Sequence, residues 1–268
     1  NVNVKDLANE QHNKKGVLEA NRGTIYDQTG KVLVQDSTTY RVVVNLKGKD
    51  KVKNKDETAQ QLADALEIDK EEVLKNFHEG RTQVEIGKIG RNLSREKKEK
   101  INDLKIPGVS FMSEKARVYP NEDFASYILG FARPDDKGNT EGKFGLEKSL
   151  DKYLRSTNGN IEYVGTRRGI PLTNDIGKVE PAKNGNNVYL TLDKQINSFL
   201  EEAMNKAQEH YDPSMLIGII ADPKTGKVLA MSSKPSYNPN VGDIEYFLND
   251  PIANAYEPGS TMKVFTLA

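Results

Sequence analysis

A serine followed three positions later by a lysine can carry out acyl transfer, and Ser260 and Lys263 in "EPGSTMKVFTLA" (257–268) stand in that relation. A serine hydroxyl is almost never ionised at neutral pH, so a nucleophilic serine needs a neighbouring base. Histidine commonly supplies it, but the chain has only His12, His78 and His210, none of them near a Gly-x-Ser-x-Gly stretch. A lysine can take the role when burial or nearby positive charge lowers its pKa. On a helix the three-residue spacing puts both side chains on one face. A serine at the helix N-terminus also sits where unpaired N–H groups favour developing negative charge.

The spacing alone is weak, because it occurs three times: Ser94–Lys97, Ser149–Lys152 and Ser260–Lys263. Ser94 precedes "REKKEK" and reads as an N-cap with an exposed lysine. Ser149 lies among Glu147, Lys148 and Asp151, the pattern of a solvated helix face. Ser260 follows Pro258-Gly259, which sets a turn, and precedes Met262, Val264, Phe265, Leu267 and Ala268, apolar nearly all round. That context predicts a helix starting at the turn, buried in a core, with a desolvated Lys263. From the residues alone two readings stay open: a catalytic pair, or a capped and packed helix.

The elements that must position this pair alternate between strand and helix signals. Residues 1–21 are polar and helix-prone, like the last turns of a stalk. "RGTIYDQTGKVLVQ" (22–35) reads as two short β runs around a turn at Asp27–Gly30, and "TTYRVVVNL" (38–46) as a strand. Helical patterns cover 56–66 and 70–79, a strand 82–87, and a helix 95–104 capped by Ser94. Short strands near 108–119 lead to "FASYILG" (124–130). A flexible loop over 133–143 then precedes a helix over 145–154. Gly, Asn and Pro cluster in "TNDIGKVEPAKNGNN" (173–187), the clearest linker signal. Strand 188–192, helix 194–210, strand 215–221, turn 222–226 and strand 227–232 follow. The pattern is that of an irregular α+β domain followed by the opening of a second domain.

Composition narrows the function classes. Lys+Arg and Asp+Glu both number 39, so no global field favours nucleic acid or an anionic surface. No cysteine is present, which excludes disulfides and thiolate metal sites. No apolar run approaches the ~18 residues of a membrane span; the longest is "LIGIIA" (216–221). The carboxylate pairs Asp135-Asp136 and Glu201-Glu202 fall in a Gly-rich loop and on an exposed helix face, so neither is expected to bind metal or do acid/base work. No cofactor is expected.

In order along the chain, several stretches resemble signatures of class B penicillin-binding proteins, the peptidoglycan D,D-transpeptidases. "YEPGSTMK" (256–263) resembles their active-site motif. "RGTIYD" (22–27) with Gly30, "RVYP" (117–120), "ASYILG" (125–130) and "GLE" (145–147) resemble signatures of their pedestal. "LTLDKQIN" (190–197) and "ADPKTGKVLAM" (221–231) resemble the entry to the transpeptidase domain. The likeness covers about residues 22 to 268 and is nearest to division-type members from low-GC Gram-positive bacteria. Gln28 stands where the family more often has Arg.

The resemblance implies an α+β architecture. A stalk (1–21) and an elongated pedestal of the dimerisation type (22–183) would precede the truncated start of an α/β transpeptidase domain (184–268). It implies Ser260 as the nucleophile, acylated by the penultimate D-Ala of a pentapeptide stem or by a β-lactam, and Lys263 as its base. Implied partners are the D-Ala-D-Ala stem, β-lactams, a membrane polymerase and divisome proteins met through the pedestal. The implied place is the extracytoplasmic membrane face, with an anchoring helix upstream of this chain. The family's S-x-N and K-T-G motifs follow the nucleophile, whereas Ser236-Tyr237-Asn238 and Lys224-Thr225-Gly226 precede it and read as loop and turn. The chain is therefore expected to be part of a longer protein and inactive alone. Alternatives are a non-catalytic pedestal module for divisome partners, and a β-lactamase or β-lactam sensor.

Overall fold

The computed structural model describes residues 13–78, 80–87, 90–135, 139–165, 171–241 and 248–267. Of the residues singled out above, 1–12 with His12, Glu79, Asp136 and Ala268 lie outside them. Asn13–Leu18 (β1) is a strand, not the end of a helical stalk. It pairs antiparallel along its whole length with Gly159–Gly165, described below, and that long-range pairing overrides a polar, helix-compatible local sequence.

Ile25–Tyr26 (β2) and Val32–Asn45 (β3) flank the turn at Asp27–Gly30. Asp27 Oδ1 accepts from Thr29 N, Thr29 Oγ1 and Lys31 N, each at 2.8 Å, and Gly30 takes φ +85°. β3 is the spine of the first domain. Lys55–Leu66 (α1) starts where Asn54 caps Asp56 N and Glu57 N. Lys70–Leu74 (α2) is shorter than its sequence pattern. Asn76 ends it: Nδ2 turns back to the Glu72 carbonyl while Oδ1 accepts from Gly87 N.

Gln83–Glu85 (β4) pairs with β3. Arg95–Asp103 (α3) follows Ser94, whose hydroxyl accepts from Lys97 N at 3.2 Å, the cap expected of it. Val109–Val118 (β5) then pairs with β3 in one unbroken ten-residue register, Val44↔Val109 to Gln35↔Val118. α1, α2 and α3 close over this sheet around Val42, Val44, Leu62, Val73 and Ile101, all buried. Each such aliphatic side chain stabilises by about 1.5–3 kcal/mol.

Ser126–Leu129 (α4) leads to Phe131–Pro134 (β6) and Thr140–Phe144 (β7). The expected loop over 133–143 is thus a β-hairpin, its ends joined by Asp135 N to Asn139 O and Asn139 N to Asp135 Oδ1. Gly145–Ser149 (α5) and Asp151–Leu154 (α6) replace one expected helix, which breaks at Leu150 (φ −103°, ψ 11°). Gly159–Gly165 (β8) and Pro171–Glu180 (β9) complete a three-stranded sheet with β1. Residues 171–180 are therefore a strand rather than linker.

Val188–Tyr189 (β10) pairs parallel with β2, held by Thr24 N to Asn187 Oδ1 and Val188 N to Thr24 O. Gly23 makes room for this return: a Cβ there would lie 1.9 Å from the Asn186 carbonyl oxygen. Gly23→Ala is expected to cost about 1–3 kcal/mol of stability by overpacking. A thermal melt checks this, and an unchanged midpoint would mean that the returning backbone can step aside.

Lys194–Tyr211 (α7) starts at Asp193, whose side chain caps Gln195 N and Ile196 N, and packs on the hairpin Leu216–Ala221 (β11) and Val228–Lys234 (β12). Asp250–Ala253 (α8) rests on the same two strands. A 3₁₀ turn, Gly259–Met262, runs into Lys263–Leu267 (α9). No helix among the described residues is long and apolar enough to cross a membrane.

Candidate active site

Three of the four signatures, those carrying Arg22, Arg117 and Glu147, meet in one buried ionic cluster. Glu147, 0 % exposed, takes Arg22 Nε on Oε2 and Arg117 Nε on Oε1, both at 2.7 Å. Arg22 Nη1 reaches Asp151 at 2.7 Å and Arg117 Nη1 reaches Asp36 at 3.1 Å. Burial alone would pull the Arg117 guanidinium down, yet the charges of Glu147 and Asp36 carry it above its ordinary value. Glu147 is thus no part of a solvated face, although Ser149 and Lys152 beside it are exposed as expected. Gly145, at φ +60°, touches the backbone at Gly130 and so sets α5, and Glu147 with it, against the "ASYILG" stretch.

Two further groups tie this first domain to the helix and hairpin that follow. Asp27 Oδ2 accepts from Lys194 N at 3.0 Å, the first residue of α7. That bond, with those from Thr29 and Lys31, outweighs burial and holds the Asp27 carboxyl below the usual range. Glu201 was expected on an exposed face but is buried between α7, β12 and α4. Its Oε1 accepts from Ala125 N (2.8 Å), Ser232 Oγ (2.9 Å) and Asn197 Nδ2 (3.2 Å). The signal missed was the i, i+4 pair Asn197–Glu201 on the side of α7 that packs inward.

Burial pushes the Glu201 carboxyl above the ordinary glutamate value of 4.5, against the pull of those donors. Its ionised form is therefore penalised in the fold, and this contribution to stability falls as pH rises from that ordinary value through the raised one. Glu201→Gln keeps an oxygen acceptor and loses the charge, so its stability is expected to match or exceed wild type at neutral pH, without that fall. Glu201→Ala strands three donors and is expected to cost about 2–3 kcal/mol. Melts of both variants across pH check the pair; equal losses in the two would refute it.

Ser260 sits in the 3₁₀ turn straight after Pro258 and Gly259 (φ +54°), and Lys263 N donates to the Ser260 carbonyl. The expected turn and helix start are present. The expected burial is not: Val264, Phe265 and Leu267 are 69, 76 and 87 % exposed. A helix buries an apolar face only against a second layer, and among the described residues none packs on α9. Ser260 and Lys263 are likewise exposed, and no hydrogen bond joins their side chains.

The Ser–Lys contact that does form is elsewhere. Lys234 Nζ lies 3.1 Å from Ser236 Oγ, and both bond to Asp123 Oδ2. Ser236 Oγ donates to Asp123 rather than to Lys234, so this trio is structural chemistry. Nothing in "KPSYNPN" signalled it, since Asp123 lies 113 residues earlier in the chain. Lys224-Thr225-Gly226 forms the expected turn, with Asp222 accepting from Lys224 N and Thr225 Oγ1 and Gly226 at φ +71°. No group of three or more potential metal-ligating side chains occurs among the described residues.

Comparison with known proteins finds two family matches along the chain. Residues 17–190 match the penicillin-binding protein dimerisation domain, and residues 216–268 the penicillin-binding protein transpeptidase domain. Stage V sporulation protein D of Bacillus subtilis is 31 % identical over 98 % of this chain and 40 % of its own length. The probable peptidoglycan D,D-transpeptidase PenA of Neisseria meningitidis serogroup A is 30 % identical over 94 % of this chain and 43 % of its own. Among solved structures, penicillin-binding protein 2X of Streptococcus thermophilus matches with a TM-score of 0.58 and 33 % identity, over 95 % of this chain and 41 % of that one. The chain spans less than half the length of each of these relatives.

Proposed function

The chain belongs to the class B penicillin-binding proteins, and from that membership we propose that it forms the pedestal and the nucleophile-bearing opening of an enzyme that cross-links peptidoglycan stems. The observation that carries the reading is the placement of Ser260 and Lys263 on one turn at a helix start, inside the matched transpeptidase segment.

In this reading Ser260 Oγ attacks the carbonyl of the penultimate D-Ala while Lys263 takes its proton. The Ser260 N–H, at a helix start where backbone donors lack intrahelical acceptors, faces the developing oxyanion. The C–N bond breaks, the proton passes to the departing D-Ala, and an acyl ester remains on Ser260. An amine of a second stem then displaces the serine and closes the cross-link. A β-lactam would acylate the same oxygen and stop there. Since α9 lies open among the described residues, Lys263 acquires the desolvation a base needs only beneath a further layer of protein.

Residues 22–183 would act as the pedestal and 184–268 as the start of the catalytic domain. A docking role for the pedestal is favoured by the lobe of α1, α2 and α3, which has its own core apart from the ionic cluster. It is the surface on which a membrane polymerase or divisome protein would sit. The substrate puts the enzyme at the extracytoplasmic face of the membrane, tethered by a helix outside this chain. The full-length gene product should release D-Ala from a pentapeptide stem and lose that activity after treatment with penicillin. Release that penicillin leaves untouched would contradict the proposal.

A further inference from the structure

Beyond β12 the chain runs along the pedestal from Lys234 to Val241 before it reaches α8 and the turn that carries Ser260. This strap is held at both ends. Lys234, 6 % exposed, donates from Nζ to Asp123 Oδ2 at 3.3 Å, and Ser236 Oγ donates to the same oxygen at 2.6 Å. In the middle, Tyr237 OH donates to the Ser126 carbonyl at 2.8 Å. At the far end Asn240 acts as a neighbouring strand would. Its Oδ1 accepts from Tyr119 N at 3.0 Å and its Nδ2 donates to Tyr119 O at 2.9 Å, while Arg133 donates to the Pro239 carbonyl at 2.8 Å.

We infer that Asp123, Lys234 and Asn240 are positioning residues for acyl transfer, forming a clasp through which the pedestal sets the place of the Ser260 segment. The inference rests on the reading of Ser260 as the nucleophile. Three features argue for positioning rather than bulk stability. Lys234 is buried but the Asp123 carboxylate is half-exposed, and a partly solvated ion pair adds little net stability, so its use here points to a fixed register. Every clasp bond joins the segment matched to the dimerisation domain to the segment matched to the transpeptidase domain. Tyr119 is itself rigid: it follows Arg117 of the ionic cluster by two residues, and its hydroxyl accepts from Ala132 N at 3.0 Å. Tyr119 therefore links the strap to the buried part of the pedestal. α8, the next described element on the way to Ser260, packs on β11 and β12.

A displacement of about 1 Å at a reacting group can cost about 10²-fold in rate. In the full-length protein, the rate constant for acylation by a fluorescent penicillin should fall about 10-fold in Lys234→Met and in Asp123→Asn. The double variant should be no slower than the slower single one, as expected of one coupled contact. The fraction finally acylated should stay that of wild type. Unchanged rate constants would overturn the clasp. So would a fall in the acylated fraction with the rate constant of the remainder intact, which is what mere unfolding produces. Wild-type protein that takes no label on Ser260 would remove the underlying reading, a failure the control reports separately.

Discussion

Ser260→Ala in the full-length protein is expected to take up no penicillin at all, and Lys263→Ala to take it up about 10³-fold more slowly than wild type. The two variants remove different parts of one step. Without the hydroxyl oxygen no ester can form. Without the lysine the oxygen is still present, but its proton must pass to water, and a positioned base is worth about 10²–10⁴-fold. Both residues are exposed in this structure, and neither makes a side-chain contact on which the fold depends. Their loss should therefore leave the melting temperature of the pedestal where it was. Gel fluorescence with a labelled penicillin reads the first effect and its time course the second. Equal acylation of wild type and Lys263→Ala would remove lysine from the role of base.

Glu147→Gln should have the largest effect on stability, about 3–5 kcal/mol, the usual result of breaking a buried ion pair from one side. Glu147 pairs with both guanidinium groups, Arg22 and Arg117, and its two oxygens take one Nε each at 2.7 Å. Glutamine keeps the shape but leaves two buried guanidinium groups with Asp36 and Asp151 alone, and puts an amide N–H₂ against one of them. Against a typical total of about 5–15 kcal/mol such a loss is severe. In a domain of this size it should lower the thermal midpoint by about 10 °C. Thermal and urea melts measure it. A loss under about 1 kcal/mol would mean that the four remaining charges rebalance without Glu147.

Local chemistry explains which parts of this structure could be read beforehand. The turn after Tyr26 is held by Asp27 and Gly30, α3 is capped by Ser94, and the turn at Lys224-Thr225-Gly226 is held by Asp222. Each is decided within four residues, and each was legible. β1 was not, because its partners lie about 150 residues away and a short polar stretch fits helix and strand alike. Glu147 and Glu201 were not either: a carboxylate buried among distant donors has the same local sequence as one in water.

The signatures named the right residues, since Arg22, Arg117, Tyr119 and Glu147 do converge, but not what they do together. For α9, apolar residues all round imply a buried helix only when the covering layer is present. The described residues of this chain supply none, so Met262, Val264, Phe265 and Leu267 stand in solvent. The strap shows the opposite case. "KPSYNPN" reads as a polar loop, yet Lys234 and Tyr237 are buried because the pedestal supplies Asp123 and Ser126 to meet them.

The decisive measurement is the position of the penicilloyl group. The full-length protein is incubated with a penicillin, digested, and the modified peptide sequenced by tandem mass spectrometry. A single adduct on Ser260 is the predicted result. An adduct on Ser236, the serine that lies beside a lysine in this structure, or no adduct on any serine, would contradict the assignment of the nucleophile.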